Sequence, residues 1–439
     1  MQKKKVLFIS YLYPPIGGGG VQRSLKFVKY LSRMDWDITI VTVDGNVYDV
    51  YDYSLMDEAQ PENTTIIRAS LQNLKKNNSK NVSHNTTNIA SSDSISSSRS
   101  KILKQYLRWM KQLAFQSIHI IPDPSFNWYF PALKAIRKIA KNTKFDIIYS
   151  TTLPIVSHFI AMRLKKNLNI PWVADFRDLW TDNYYGHYLL PSKKVIDNFF
   201  EKRLLSYADL VIGATPKLVE NLKSKCSNAK VVLLTNGFDF EEYQVDYDKR
   251  ESKNKLCFSY TGRIYEQRNS SVLWNAIYEL IKEGTIDPSM IEFVFAGPPL
   301  PDNMIRDLQK FSLQNIVKYI GYIDSVEVKR LQMNSDILLL IEPSIDAIPA
   351  KFYEYLVSGT FILSIIPPGN FIYEITEKAG NGICVPFSKD YIKKAIMECY
   401  ERWKRDGRLN LHVNHDYVMS FSRQRITNRL SEYMRELTG

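Results

Sequence analysis

The chain is 439 residues long, and at one domain per roughly 150 residues this excludes a single small module and implies two large domains or three average ones. With 45% apolar, 13% aromatic and 24% charged residues, it is neither collagen-like, nor a coiled coil, nor wholly disordered. The formal charge of +12 favours an anionic partner: nucleic acid, an acidic membrane surface or a phosphorylated small molecule.

No run approaches the roughly 20 apolar residues of a membrane span, and Met1-Gln2-Lys3-Lys4-Lys5 passes into a short β-like run, not a signal-peptide core. A cytoplasmic protein is the expectation. The four cysteines, Cys226, Cys257, Cys384 and Cys399, lie far apart with no CxxC pair, so neither a disulfide framework nor a zinc site is expected.

In chain order, short β-branched runs begin at Val6, Ile38, Thr65, Asp146, Trp172, Leu210 and Val231. Amphipathic stretches near 21–33, 127–142, 154–167, 192–206 and 215–224 lie between them, and this alternation predicts a parallel sheet with crossover helices. Between Asn77 and Ser100, 16 of 24 residues are Ser, Thr or Asn, which predicts a disordered surface insertion. A polar stretch, 238–255, reads as a linker between an N-terminal domain 1–237 and a second domain 256–416. There the alternation restarts with runs at Cys257, Glu292, Val317, Ile337, Phe361 and Gly382. The segment 417–439 reads as a helix packing back across the domains. The fold class is thus α/β, with two doubly wound halves facing each other across a cleft where ligands bind.

The first run leads into Gly17-Gly18-Gly19-Gly20 and a helix opening at Val21. Four glycines remove every Cβ from the turn, and a helix start offers N–H groups to an anion or a sugar oxygen. A dinucleotide fingerprint with Asp44 as its acid fails, because Arg23 stands where the third glycine belongs. A flexible loop with no ligand is the other reading.

In the second half, Gly262-Arg263 ends the first strand and Arg268 follows five residues on, a plausible diphosphate clamp. Pro349 and Gly359 bracket a short helix carrying Lys351 and Glu354 as i,i+3 neighbours, with Asp346 in the loop before it. A carboxylate there can accept the hydroxyls of a ribose or a sugar, while Lys351 adds positive charge near a departing pyrophosphate. Asp-x-Asp occurs at Asp35-Trp36-Asp37 and Asp246-Tyr247-Asp248, neither at the carboxyl end of a strand, so no metal is expected. The basic amphipathic segment 101–116 suits an anionic membrane interface, or a helix packed on its own domain. His158 reads mainly as a packing histidine near the expected cleft. Asp175, Arg177 and Asp178 read either as substrate contacts or as a charged network holding a strand end.

Taken together, the glycine loop Gly17–Gly20, Asn236-Gly237, Gly262-Arg263 with Arg268, and the acid-x7-Glu pattern from Asp346 to Glu354 resemble glycosyltransferase family 4, retaining enzymes with two Rossmann-like domains in the GT-B architecture. The segment Ile170 to Trp180 resembles a bacterial branch that builds surface polysaccharides such as capsule or O-antigen. The resemblance implies a nucleotide-diphosphate sugar as donor, no further cofactor, and a polysaccharide or lipid-linked oligosaccharide precursor as acceptor. It implies donor contacts from Gly19, Gly20, Arg263, Arg268, Lys351 and Glu354, with the catalytic set Arg263, Arg268, Asp346 and Glu354. Acceptor contacts would come from Gly18, Asp175, Arg177 and His158. The chain departs from the family in three places: Asp346 replaces a glutamate, Arg268 a lysine, and Arg177 stands where many relatives carry a histidine. A sugar-nucleotide epimerase on a similar fold, acting without an acceptor, is the nearer alternative. A nucleic-acid-binding protein is the distant one, since no aromatic-interleaved basic platform appears and no nucleic-acid partner is expected.

Overall fold

The computed structural model describes residues 3–44, 51–71, 122–183, 188–226, 229–244, 254–268 and 270–439. The serine-rich stretch 77–100 and the basic stretch 101–116 lie outside the described residues. The chain forms two compact units. One comprises Met1–Ala214, Leu218–Leu233 and Leu430–Gly439, the other Thr215–Lys217 and Leu234–Arg429.

In the first unit a seven-stranded sheet has the order β3-β2-β1-β4-β5-β6-β7, with every pairing parallel. Its strands are β1 (Lys4–Ile9), β2 (Trp36–Asp44), β3 (Thr64–Ser70), β4 (Ile147–Thr151), β5 (Trp172–Phe176), β6 (Leu210–Gly213) and β7 (Lys230–Leu233). Parallel strands need crossover connections, usually helices, that cover the sheet's faces, so central strands become continuous apolar runs. Accordingly β4 and β5 are buried along their whole length. The order reverses between β1 and β4, which opens a crevice beyond their carboxyl ends.

The second unit repeats the plan with six parallel strands in the order β10-β9-β8-β11-β12-β13. These are β8 (Leu256–Thr261), β9 (Ile291–Ala296), β10 (Val317–Gly321), β11 (Ile337–Ile341), β12 (Phe361–Ile365) and β13 (Gly382–Val385). Its reversal falls between β8 and β11. One core cluster centres on Phe258, Trp274, Phe293 and Leu339, another on Leu338, Phe352, Tyr355 and Ile362. Residues 338 and 339 point to opposite faces of β11, as the period of two requires.

The start of the first helix and the terminal segment differ from the sequence reading. The first helix is Gly19–Ser32, starting two residues early, so Gly19 and Gly20 form its first turn. The terminal segment is two helices, His415–Met419 and Arg423–Thr438, not one. They are interrupted where Phe238 N–H donates to the Phe421 carbonyl at 3.2 Å and Arg423 N–H donates to the Phe238 carbonyl at 2.8 Å.

That interruption explains Gly237. A Cβ on Gly237 would sit 2.0 Å from the Phe421 carbonyl oxygen and 2.7 Å from Ile426 Cδ1. The nearest obstacle is backbone, which cannot swing aside as a side chain can. Gly237→Ala is expected to lower stability by about 1–3 kcal/mol, the usual range for overpacking. Urea denaturation checks it, and an unchanged midpoint would show that the backbone yields freely.

The second terminal helix ends in the first unit. There Ser431 Oγ accepts from the fully buried Trp36 Nε1 at 2.8 Å, and Leu430 and Met434 are buried.

Candidate active site

In the second unit, the candidate residues gather at the carboxyl ends of β8 and β11. The chain leaves β8 at Thr261 and turns at Gly262, whose φ of +90° favours glycine. Gly262 N–H donates to the Ala296 carbonyl at 2.7 Å, and a Cβ on Gly262 would lie 3.3 Å from Lys351 Nζ. Arg263 follows on the surface, and among the described residues its guanidinium has no partner.

Arg268 is not the second half of a surface clamp. It is buried, with Nη2 on Glu342 Oε2 at 3.0 Å and Nη1 donating to the Tyr260 hydroxyl. Tyr260 in turn donates to the Arg263 carbonyl at 3.1 Å. Glu342 is the first residue after β11, so the pair ties the ends of β8 and β11 together. The other Glu342 oxygen accepts from Ser344 N–H at 3.1 Å.

Ser344 begins the loop that carries Asp346. Buried Asn370 fixes this loop, donating to the Ser344 carbonyl at 2.9 Å and the Ala347 carbonyl at 3.0 Å. Asp346 N–H donates to Ser344 Oγ at 3.2 Å, while its Oδ1 is buried without a hydrogen-bond partner among the described residues. Such an acceptor is costly unless a donor arrives, and a sugar hydroxyl is one.

The short helix is Ala350–Val357, with Pro349 as its N-cap and Gly359 beyond its end at φ +70°. Lys351 Nζ donates to the Thr261 carbonyl and lies 3.7 Å from the centroid of the Tyr260 ring. Burial, with the Arg268 charge nearby, holds this ammonium well below the usual lysine range, against the pull of Glu354 and Glu342. An arriving anion would favour its charged form. Glu354 Oε2 accepts from Gln332 Nε2 at 3.3 Å.

In the first unit, Gly18 is the N-cap of the Gly19–Ser32 helix at φ +90°, and a Cβ at Gly18 or Gly19 would meet nothing within 4 Å. That helix start is therefore open to a ligand's approach. The other acceptor candidates require correction. Asp175 is fully buried, its carboxylate gripped by Arg23 through Nε at 2.9 Å and Nη2 at 2.7 Å, with Thr151 Oγ1 donating at 2.9 Å. Arg177 spends its guanidinium on the backbone carbonyls of Gly20, Thr152 and Leu153. These contacts hold the glycine turn against the end of β5, which is the charged-network alternative of the sequence reading and not that of substrate contacts.

His158 takes the packing role that the sequence reading favoured, in place of the acceptor contact also considered. It is fully buried between Trp172 and Phe176, with Nδ1 2.8 Å from Ser150 Oγ. Burial lowers its imidazole to about 3, so the folded protein holds it neutral. Unfolded, it binds a proton below about pH 6.5. Its contribution is therefore complete above about pH 6.5 and is lost as pH falls toward 3. His158→Phe is expected to flatten this acid limb, read as urea midpoints between pH 7 and 4. Equal slopes in both proteins would assign the limb to other groups.

Glu342, Gln332, Tyr260 and Asn370 escaped the sequence reading, and Arg23 entered it only as the residue in the third glycine's place. Glu342 carried one signal, an acid directly after an apolar run.

Residues 95–242 match Glycosyltransferase Family 4, and residues 239–411 match Glycosyl transferases group 1. No curated protein matches the chain significantly. Among solved structures, HepE of Anabaena, in complex with UDP and glucose, is 13% identical with a TM-score of 0.67, over 99% of this chain and 100% of that one. A glycosyltransferase of Rickettsia africae is 17% identical with a TM-score of 0.63, over 100% and 99%. A putative UDP-N-acetylglucosamine 2-epimerase of Listeria monocytogenes follows at 11% and 0.56, over 99% and 96%. Likeness at these identities is one of fold. The two family matches, end to end from 95 to 411, carry more, and on them the chain belongs to the glycosyltransferases of the family 4 type, with two Rossmann-like domains of GT-B architecture.

Proposed function

We propose that this glycosyltransferase moves a sugar from a nucleoside-diphosphate sugar to a polysaccharide or lipid-linked oligosaccharide precursor of a bacterial surface polymer, with retention of configuration and without a metal. The observation that carries the reading is the cluster at the switch point of the second sheet. There Arg263 and Lys351 offer positive charge on the segments that also carry Glu354 and Asp346, while the Arg268–Glu342 pair ties the two strand ends together. UDP in the HepE complex supports a nucleoside diphosphate as the leaving group.

In this mechanism Glu354 accepts the ribose hydroxyls and Asp346 a hydroxyl of the transferred sugar. The bond from the anomeric carbon to the diphosphate oxygen breaks as the carbon gains oxocarbenium character, and the electron pair goes to the diphosphate. Arg263 and Lys351 stabilise that developing charge, which is where preorganised cations have most effect. The acceptor hydroxyl attacks the same face, and its proton passes to the departing phosphate oxygen. The open helix start at Gly18 and Gly19 receives the acceptor or a donor phosphate.

A lipid-linked acceptor would bring the protein to the inner face of an anionic membrane, with 101–116 as the proposed contact. Among the described residues no helix is long and apolar enough to cross a membrane.

The test is thermal stability of the purified protein with UDP, GDP, ADP, CMP and dTDP, since a ligand that binds only the folded state raises its melting temperature. One nucleoside diphosphate is expected to stabilise the protein, and Glu354→Ala and Arg263→Ala to lose that shift. No shift from any nucleotide on folded protein would overturn the reading.

A further inference from the structure

Glu354 does not stand alone. Gln332 is fully buried on the helix Ser325–Asn334, and its side-chain amide is used at every atom. Nε2 donates to Glu354 Oε2 at 3.3 Å and to Thr261 Oγ1 at 3.2 Å. Oε1 accepts from the Tyr243 hydroxyl at 2.9 Å. The Glu354 carboxylate, which can only accept, fixes which way round the amide lies, since the reversed amide would set a carbonyl oxygen against it; the Tyr243 hydroxyl then anchors the other end by donating to Oε1. The backbone is fixed as well, since Thr360 Oγ1 donates to the Gln332 carbonyl at 2.7 Å. Glu354 Oε1 accepts no hydrogen bond from a described residue.

We propose that Gln332 is a positioning residue for donor recognition: through one Glu354 oxygen it holds the carboxylate in a single orientation and leaves the other oxygen for the ribose hydroxyls, with Tyr243 anchoring the far end of the amide. This rests on the reading of Glu354 as the ribose contact. A carboxylate free to rotate must be ordered when ligand arrives, which weakens binding, whereas one already fixed does not. The relay places a donor-recognition determinant on Tyr243, distant in sequence from the Asp346 to Glu354 motif. Thr261, which shares the same amide, lies at the strand end from which the Arg263 loop departs.

The experiment compares UDP with 2′,3′-dideoxy-UDP, and likewise GDP and ADP with their dideoxy counterparts, by calorimetric titration of the full chain. Gln332→Met keeps the side chain's length and removes the amide. Tyr243→Phe leaves the amide but removes the hydroxyl that anchors its Oε1, and serves if Gln332→Met does not fold. Wild type is expected to prefer the ribose form by about tenfold or more, the scale of a hydrogen bond to a charged group. Gln332→Met is expected to bring that preference down toward the value for Glu354→Ala, with Tyr243→Phe between, and the Gln332→Met effect should vanish in the Glu354→Ala background.

A merely structural role would weaken both forms equally and leave the ratio intact, and that result would overturn the proposal. Wild type that binds a nucleoside diphosphate without a ribose preference would also overturn it while leaving the donor site standing. Failure of wild type to bind any nucleoside diphosphate would remove the donor reading itself, and the relay with it.

Discussion

Asp175→Ala is expected to destabilise the first domain by about 3–5 kcal/mol, the scale found when one partner of a buried ion pair is removed. Arg23 is 1% exposed and Asp175 0%, so alanine would leave the guanidinium without its carboxylate in a site closed to water. Burial alone would push Asp175 up. The Arg23 charge, with hydrogen bonds from Arg23 and Thr151, instead holds it below the usual carboxylate value. Its folded value is depressed, so this contribution is complete above about pH 4 and is lost as acid protonates the folded carboxylate. Replacing both partners, as Arg23→Met with Asp175→Leu, is expected to cost less than Asp175→Ala alone, because no buried charge remains. Urea denaturation of the three variants measures both differences. A single variant within experimental error of wild type would mean the site relaxes to admit water.

Lys351→Met is expected to lower kcat by about 100- to 1,000-fold, the usual effect of removing one group aimed at charge that develops in the transition state. The measured step is release of nucleoside diphosphate from the donor sugar by the purified enzyme. The working form is the charged ammonium, and burial and Arg268 hold its pKa well below the usual lysine range. Activity should therefore fall as pH rises through that lowered value. Lys351→Arg, whose guanidinium stays charged across this range, should lose the alkaline limb even if its maximum rate is lower. An unchanged alkaline limb in Lys351→Arg would assign the titration elsewhere.

The strands were legible because parallel strands buried on both faces leave little choice of residue. Ile337–Ile341 reads Ile-Leu-Leu-Leu-Ile, and no solvent-facing element could. The short helix with Lys351 and Glu354 was legible from its local Pro and Gly punctuation. The pairings were not. Arg23 meets Asp175 across 152 positions and Arg268 meets Glu342 across 74, and only the strand orders β1-β4-β5 and β8-β11 bring them together. Spacing showed Arg263 and Arg268 as equals, and burial separates them. For Arg177 the sequence left substrate contact and a charged network open, and for His158 it favoured packing, because side chains near a strand's carboxyl end can face a ligand or turn inward. One is taken up by backbone carbonyls, the other by an aromatic sandwich. Gln332 had no signal, since a glutamine in an amphipathic helix looks like any solvated residue.

The distribution of the last ten residues bears on how this protein can be divided. The first unit is not contiguous in sequence: it takes Met1–Ala214 and Leu218–Leu233 and then Leu430–Gly439. A fragment stopping at Leu233 would lack Ser431, the acceptor of the Trp36 indole N–H, and would uncover the apolar surface that Leu430 and Met434 fill. Expressing that half as a soluble piece calls for grafting the terminal peptide back, for instance by a circular permutation that begins at residue 430. For the same reason, exchanging halves between relatives by a single crossover near the linker would leave each chimera with a mismatched tail, so productive recombination needs two junctions, not one.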